Sequence, residues 1–237
     1  MTSANALTNA RGTGIVAQID LLPTGQLDPD YAMPPPPDTK ERLVASAARL
    51  WHAKSYADVG VSEICAEAGV KKGSFYHFFP SKSDVALAVL DARREQAIEY
   101  IFRPALSNES PPLARLTQLI EIQYELQKQI QADAGAVLGC PIGNLSLELS
   151  TQDERVRERC VELLEEWALQ IEPLLEAAVQ EGELPPIDVG RAAMAVTAYI
   201  EGILLLAKTR NDAEVIRDLA AGVHQLVVAF RCDNDNR

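Results

Sequence analysis

Four side chains between residues 72 and 77 could together bind a polyanion. They fall on one side of a short predicted helix: Lys72, Ser74, Tyr76 and His77. An ammonium, two hydroxyls and an imidazole can donate hydrogen bonds to phosphate oxygens or meet the edges of bases. Gly73 would let the backbone come close to such a partner. We therefore expect this side of the helix to contact nucleic acid.

A second candidate for chemistry is Cys140, in the segment Gly-Cys-Pro-Ile-Gly-Asn-Leu at residues 139–145. A thiol near a helix N-terminus has its thiolate favoured by the helix dipole, which raises its reactivity. Cys140 could then react with an electrophile or an oxidant, and Asn144 belongs to the same candidate site. The alternative is a small buried cysteine beside a tight turn. The other three cysteines give no paired or zinc-like spacing, so we expect no metal site.

Three residues elsewhere in the chain could contact a small molecule: Tyr124, Trp167 and Glu201. The two aromatic side chains could line a cavity between helices, although core packing is the simpler role for each. Glu201 interrupts an apolar run at residues 195–207, and a buried carboxylate is costly unless it is paired. It could hold a structural partner, lie at a subunit interface or contact a ligand.

Four predicted helices position the side chains between residues 72 and 77. The first starts near Thr39 and carries an apolar stripe at helical spacing. Gly60 can cap the second helix, and Gly69 supplies the left-handed turn that ends it. The third runs from Lys71 or Lys72 to Phe79, and Ser81 caps the fourth. Two short helices joined by a tight turn at about residues 60–79 are the layout of a helix-turn-helix, whose second helix enters the DNA major groove.

The rest of the chain is also predicted to be helical, so the fold class is all-α. Helices are expected near 82–103, 112–132, 143–149, 153–182, 188–209 and 212–231, because prolines and Asn211-Asp212 mark their ends. No alternating run is long enough for a sheet. Residues 1–37 end in four prolines and predict a mobile tail. We divide the remainder into a head, residues 38–97, and a body, residues 98–237.

Charge is distributed unevenly between these parts. The chain carries a net −12, yet residues 38–82 hold seven Lys or Arg and five Asp or Glu. The balance excludes a general nucleic-acid coat protein, which needs many cations, and favours docking through the head alone. The apolar run from Ala192 to Ala207 is too short for a membrane span and contains Glu201. No signal peptide is visible, and the unpaired cysteines fit a reducing cytoplasm.

The head matches a known pattern over its whole length. The pattern runs from Arg42-Leu43-Val44 through Ile64, Ala68-Gly69-Val70 and Lys72-Gly73-Ser74-Phe75-Tyr76-His77 to Phe79 and Ser81-Lys82. These residues resemble the DNA-binding domain of the TetR family of bacterial transcriptional regulators. The resemblance implies that the body is a helical domain for effector binding and dimerisation.

The resemblance also implies which residues contact DNA: Gly60, Lys71, Lys72, Gly73, Ser74, Tyr76, His77 and Lys82. Three positions depart from the family pattern. Ser55 stands where glycine is usual, Gly60 where threonine or serine is usual, and Lys71 where serine is common. At Gly60 a side-chain cap is lost, and with it a phosphate contact is in doubt.

The segment at residues 139–145 resembles a branch of these regulators that senses acrylate-like or other electrophilic small molecules. Taken together, the resemblances imply a homodimeric, cytoplasmic repressor without a cofactor, which leaves a palindromic operator when a small molecule binds. The helices at 188–209 and 212–231 would form the dimer interface, where Ala192, Ala193, Ala195 and Gly202 permit close approach. Two alternatives remain: a cysteine-dependent enzyme using Cys140, which lacks a recognisable base, and a helical adaptor that does not bind DNA.

Overall fold

The computed structural model describes residues 38–107 and 109–232, and the expected tail at 1–37 lies outside them. The described chain is helical, and its only β pairing is one isolated bridge between Ile187 and Arg231. The helices of the head are α1 Thr39–Ala53, α2 Val61–Glu67, α3 Lys72–Phe78 and α4 Lys82–Ala97. A π-helical turn, Ile98–Phe102, continues α4 into the body. There follow α5 Arg103–Leu106, α6 Pro112–Ala134, α7 Pro141–Leu149, α8 Glu154–Gln180, α9 Val189–Arg210, α10 Glu214–Ala220 and α11 Gly222–Val228.

The joins between the head helices follow the local sequence. Asp38 accepts from the Glu41 amide while Glu41 accepts from Asp38, so α1 starts at a complete capping box. Ser81 and Asp84 form the same reciprocal pair at the start of α4, which confirms the predicted cap at Ser81. Gly69 has φ +65°, which confirms the left-handed turn after α2. Each such cap typically contributes about 1 kcal/mol.

The body is a helical bundle in which α8 packs along α9, and α6 packs against both α8 and α10. Its core is built from the inner faces of these helices, with Leu163, Ile171, Leu175 and Val196 fully or almost fully buried. By length and composition α9 could cross a membrane. It packs against α8, α10 and α11 in the bundle and so forms part of the core of the body.

Two of the predicted helices are not continuous. The helix expected at 82–103 widens into the π turn just before Pro104, which has no N–H to donate to a carbonyl four residues back. The helix expected at 212–231 is divided between α10 and α11. There the Tyr199 hydroxyl donates to the Leu219 carbonyl at 2.7 Å, and a Cβ on Gly222 would lie 2.1 Å from that hydroxyl. The side chain of Tyr199 therefore occupies the break.

The small residues that were expected to permit close contact between subunits differ in how exposed they are. Ala192 and Ala193 are fully buried within the subunit, so that expectation is wrong for both, whereas Gly202 is exposed. Large apolar side chains are exposed instead along α8 and α9: Val161, Leu169, Met194, Leu205 and Leu206. We call these five residues the α8–α9 face. Val228 of α11 is also exposed, but most of the exposed large apolar side chains of the last four helices belong to α8 and α9.

Candidate DNA-binding surface and effector cavity

Two phenylalanines on the inner side of α3 pack into the core of the head and hold the helix in place. Phe75 is fully buried and Phe79 nearly so, and their ring centroids lie 6.0 Å apart. Tyr76 leans edge-on against Phe75 but remains 56% exposed. A rigid backing of this kind holds the exposed side chains of a seven-residue helix in one orientation.

Six of the eight residues predicted to contact DNA belong to α3 or its N-cap. Lys71, Lys72, Gly73, Tyr76 and His77 are exposed, and Ser74 is partly exposed. A Cβ added at Gly73 or at Gly60 would meet nothing within 4 Å, so the backbone is open at both positions. The surface is therefore accessible to a large partner.

Lys71 and Lys72 are the free cations of this surface. Two other cations of the head are engaged, because Arg49 pairs with Glu67 and Lys54 pairs with Glu63. No ion pair involves Lys71 or Lys72 among the described residues. Two adjacent unpaired ammonium groups beside exposed hydroxyls suit a phosphate backbone.

Lys82 was also predicted to contact DNA, but in the structure its side chain makes contacts within the head. Its ammonium donates to the Tyr56 carbonyl and lies 3.9 Å from the centre of the Tyr56 ring. Burial lowers the pKa of this lysine. Because the cap at Ser81 starts α4 against the loop after α1, the side chain holds that loop instead of pointing to solvent.

A small cavity lies in the body between the π turn, α6, α8 and α9. Its lining is mostly apolar and includes two of the predicted effector residues, Trp167 and Glu201. The lining residues are Ala97, Ile101, Phe102, Leu119, Gln123, Trp167, Ile171, Thr197, Ile200 and Glu201. Its volume is about 20 Å³, enough for about one water-sized group in the ligand-free form. The cavity thus joins residues that are far apart in the sequence.

Two polar atoms at this cavity are buried without a partner. They are the indole Nε1 of Trp167 and the Oε1 of Glu201, and the described residues give neither a hydrogen bond. Burial raises the pKa of Glu201 above its usual value. Buried polar groups are normally paired, so these two atoms are available to a bound molecule.

Cys140 is buried at the start of α7, behind Glu201. Its Sγ accepts a hydrogen bond from the Gly143 amide at 3.3 Å, and the thiol is also hydrogen-bonded to the Glu201 carboxyl. Burial, and next the charge of Glu201, raise the pKa of this thiol well above its ordinary value. The prediction of a favoured thiolate is therefore wrong, because these two effects outweigh the amide at the helix N-terminus.

Gly143 makes this arrangement possible. A Cβ at position 143 would lie 2.5 Å from the Glu201 Oε2 and 3.4 Å from the Cys140 Cβ. The bare backbone of α7 thus leaves the space that the carboxyl occupies. Spacing in the sequence gives no signal of this contact, since it joins α7 to α9.

Tyr124 and Asn144 do not line the cavity. The Tyr124 hydroxyl donates to the Glu214 carboxylate at 2.8 Å and accepts from Lys128 at 2.9 Å. Asn144 donates to the Leu138 carbonyl at 3.0 Å and accepts from Lys208 at 2.8 Å. Both side chains are fully engaged in contacts within the body, so the structure separates them from Trp167 and Glu201.

A direct link between head and body was not found from the sequence. His52 of α1 donates from Nε2 to the Gly139 carbonyl at 2.9 Å, and Gln127 donates to the same carbonyl at 3.1 Å. Gly139 precedes Cys140 in the chain. Burial, and next the charge of Arg93, lower the pKa of His52 to about 4. His52 is therefore neutral at neutral pH and joins α1 to the segment beside the cavity.

Acid should weaken this link. The His52 pKa is about 4 in the folded protein against 6.5 ordinarily, so the unfolded chain takes up the proton first. The contribution of neutral His52 to the stability of the fold is fully present above the ordinary pKa. It falls as the pH drops toward the pKa of His52 in the folded protein. Between pH 7 and pH 5 we expect His52 to account for a loss of about 1 to 2 kcal/mol. Urea unfolding at both pH values should show a smaller loss for His52→Gln. Equal losses in both proteins would contradict this.

The head and the body each match a known protein family. The model described as "Bacterial regulatory proteins, tetR family" matches residues 43–89, and "Tetracyclin repressor-like, C-terminal domain" matches residues 112–223. An HTH-type transcriptional regulator from the lacX 3' region of Lactococcus lactis is 32% identical over 184 residues, covering 76% of this chain and 88% of the relative. The chain belongs to the TetR family.

Two further comparisons agree with this membership. The transcriptional regulator AcuR of Cereibacter sphaeroides is 34% identical over 170 residues, which are 71% of this chain and 75% of the relative. The crystal structure of regulatory protein TetR from Rhodobacter sphaeroides superposes with a TM-score of 0.71 at 28% identity, covering 79% of this chain and 98% of that one. As a TetR-family protein, the chain is a helix-turn-helix transcriptional regulator, and the all-α fold is confirmed.

Proposed function

We propose that the protein is a repressor that binds a palindromic operator as a homodimer and leaves it when a small molecule occupies the cavity beside Trp167 and Glu201. The observation that carries the proposal is the contact of His52 with Gly139. It joins the head to the segment that holds Cys140 against Glu201. A TetR-type regulator of this kind acts in the cytoplasm.

The DNA contacts are proposed at α3. Lys71, Lys72 and Tyr76 would bind phosphates, while Ser74 and His77 would reach phosphates or base edges. Gly60 and Gly73 would admit the DNA backbone. Lys82 supports the loop at Tyr56, so its part in binding is to position that loop.

The homodimer is proposed to form through the α8–α9 face. Its five residues are between 42% and 59% exposed, and large apolar side chains gathered on adjacent helices favour a buried interface. A twofold axis there would present two α3 helices to successive major grooves about one DNA turn apart.

Release of the operator would follow from a shift between two head positions. An effector can change this equilibrium only as far as it binds one position better than the other. Ion pairs also tie the head to α8: Asp84 lies 2.9 Å from Arg155, and Asp91 lies 2.8 Å from Arg159. The heads are thus held by contacts that a change near the cavity can alter. The effector must lower the affinity for the operator by the same factor as the operator lowers the affinity for the effector.

An electrophile at Cys140 is a second proposed input. The buried thiol would have to lose its proton and be reached by the reagent, so modification should be slow in the folded protein. Mass spectrometry after mild alkylation should show Cys232, which is exposed, modified first. If Cys140 stays unmodified and Cys140→Ala still responds to the effector, the thiol is not part of the sensor.

The proposal is tested first by a mobility shift on DNA from just upstream of the gene for this protein. At fixed salt, specific retardation that a small molecule abolishes supports both operator and effector binding. Absence of specific retardation here and in a genome-wide selection would refute operator binding. The alternatives of a Cys140-dependent enzyme and a non-DNA-binding adaptor are not favoured by membership of a regulator family.

A further inference from the structure

The cavity in the body has an uneven distribution of charge. Among the described residues that line it, Glu201 is the only Asp, Glu, Lys or Arg, and the others are apolar or neutral. No ion pair involves Glu201 among the described residues, although surface carboxylates such as Glu166 and Asp91 have arginine partners. A ligand in this cavity therefore meets a carboxyl group that has no ion-pair partner among the described residues, and no Lys or Arg lines the cavity.

The two oxygens of Glu201 have different surroundings. Oε2 occupies the space that the bare Gly143 leaves, beside the Cys140 thiol. Oε1 is buried and has no hydrogen-bond partner among the described residues. One oxygen is thus held in place by the fold while the other can accept a hydrogen bond from a ligand. An unpaired buried carboxylate gains more from a cation than from a neutral donor.

The aromatic lining favours the same kind of ligand. The rings of Phe102 and Trp167 lie 6.2 Å apart, and both border the cavity. Indole and phenyl faces attract ammonium groups, and the attraction is stronger away from water. The aliphatic lining residues, such as Ile101, Ile171 and Ile200, would contact a hydrocarbon portion.

We propose that Glu201 is the residue that sets the charge of the effector, and that the cavity widens from its present room for about one water-sized group to take a small hydrophobic amine in its protonated form. The inference rests on the proposed role of the cavity as the effector site. An anion of the same shape would be repelled by the Glu201 carboxylate. A neutral molecule would leave that carboxylate without an ion-pair partner. Gly143 is the positioning residue, because its lack of a side chain lets the carboxyl reach this place.

The test uses three probes of one shape and three charges: isobutylamine, isobutanol and isobutyrate. The amine is protonated at pH 7.5, as lysine is with a pKa of about 10.4. Trp167 reports on binding by its fluorescence in the full-length chain carrying Trp51→Phe, which removes the other tryptophan. We expect isobutylamine to bind at least tenfold more tightly than isobutanol, and isobutyrate to bind more weakly still.

Two substitutions test separately the charge of Glu201 and the position of its carboxyl group. Glu201→Gln should reduce the preference for amine over alcohol to within threefold. Gly143→Ala keeps the carboxylate but places a Cβ 2.5 Å from its oxygen, so it should also reduce the preference. Glu125→Gln, which removes an exposed carboxylate of α6, should behave like the parent. An unchanged preference in Glu201→Gln would overturn the proposal, as would tighter binding of the alcohol or the acid to the parent.

Operator release by the same probes distinguishes the two proposals. If isobutanol or isobutyrate releases DNA as well as isobutylamine does, the cavity is an effector site but Glu201 does not select a cation. If no probe changes the Trp167 fluorescence or the operator affinity, both the cavity assignment and the amine are wrong. Release by the amine alone, lost in Glu201→Gln, supports both.

Discussion

Leu205→Glu is expected to leave the protein monomeric and to lower its affinity for operator DNA by more than 100-fold. Leu205 is 53% exposed in the subunit and lies among the apolar side chains of the α8–α9 face. A glutamate in a twofold interface would place two carboxylates in one apolar region, and each unpaired buried charge costs about 3 kcal/mol or more.

The loss of DNA affinity follows from the loss of the second head. Joining two heads makes the second binding step intramolecular, and such a link typically adds a factor of about 10² to 10⁴. Sedimentation equilibrium should give the mass of one subunit, and a mobility shift should give the affinity. Leu147→Glu is the matched control, because it puts the same charge at a leucine that is 78% exposed on α7 and is not one of the five residues of the α8–α9 face. A stable Leu205→Glu dimer would place the interface elsewhere.

The double variant Lys72→Ala, Tyr76→Ala should lower operator affinity by about 100- to 1,000-fold while leaving the dimer intact. Each subunit loses two proposed phosphate contacts, and four contacts at about 1 kcal/mol each account for the loss. Both side chains are exposed and Lys72 has no ion pair among the described residues, so folding should be unaffected. The measurement is a titration of operator DNA over a range of salt concentrations.

The salt dependence separates phosphate contacts from base contacts. Removing Lys72 from both subunits deletes two phosphate contacts, which should make the slope of log affinity against log salt shallower by about 1.8. Lys54→Ala is the matched control, because its ammonium is paired with Glu63, and its affinity should stay within threefold of the parent. Affinity and slope unchanged in the double variant would remove α3 from the interface.

Local signals in the sequence were sufficient for the head. Ser81 with Asp84, and Gly69 after α2, act within a few residues of their own positions, so the pattern shows where helices start and end. The contact of Lys82 with the Tyr56 carbonyl was not predicted, because it depends on how the loop after α1 folds. The family pattern identified the surface of α3, but only the structure showed which cations remain unpaired.

Contacts of the body depend on tertiary structure and were harder to predict. Trp167 and Glu201 were both suspected, but their meeting at one cavity requires the packing of α8 on α9. His52 and Gly139 are separated by 87 residues, and no periodicity connects them. The reactivity expected for Cys140 came from its position at a helix start, whereas burial and the charge of Glu201 depend on the fold.

The π turn at Ile98–Phe102 has a consequence for how this chain can tolerate changes in length. A π turn accommodates one residue more than the α-helix around it, so deleting one residue there can restore regular winding. Elsewhere in a helix a deletion rotates everything beyond it by about 100° and shifts it by about 1.5 Å. Homologues that differ by one residue at this point can therefore keep both α4 and α5 in phase with their neighbours. Insertions and deletions in this lineage should be concentrated here, in the wall of the cavity.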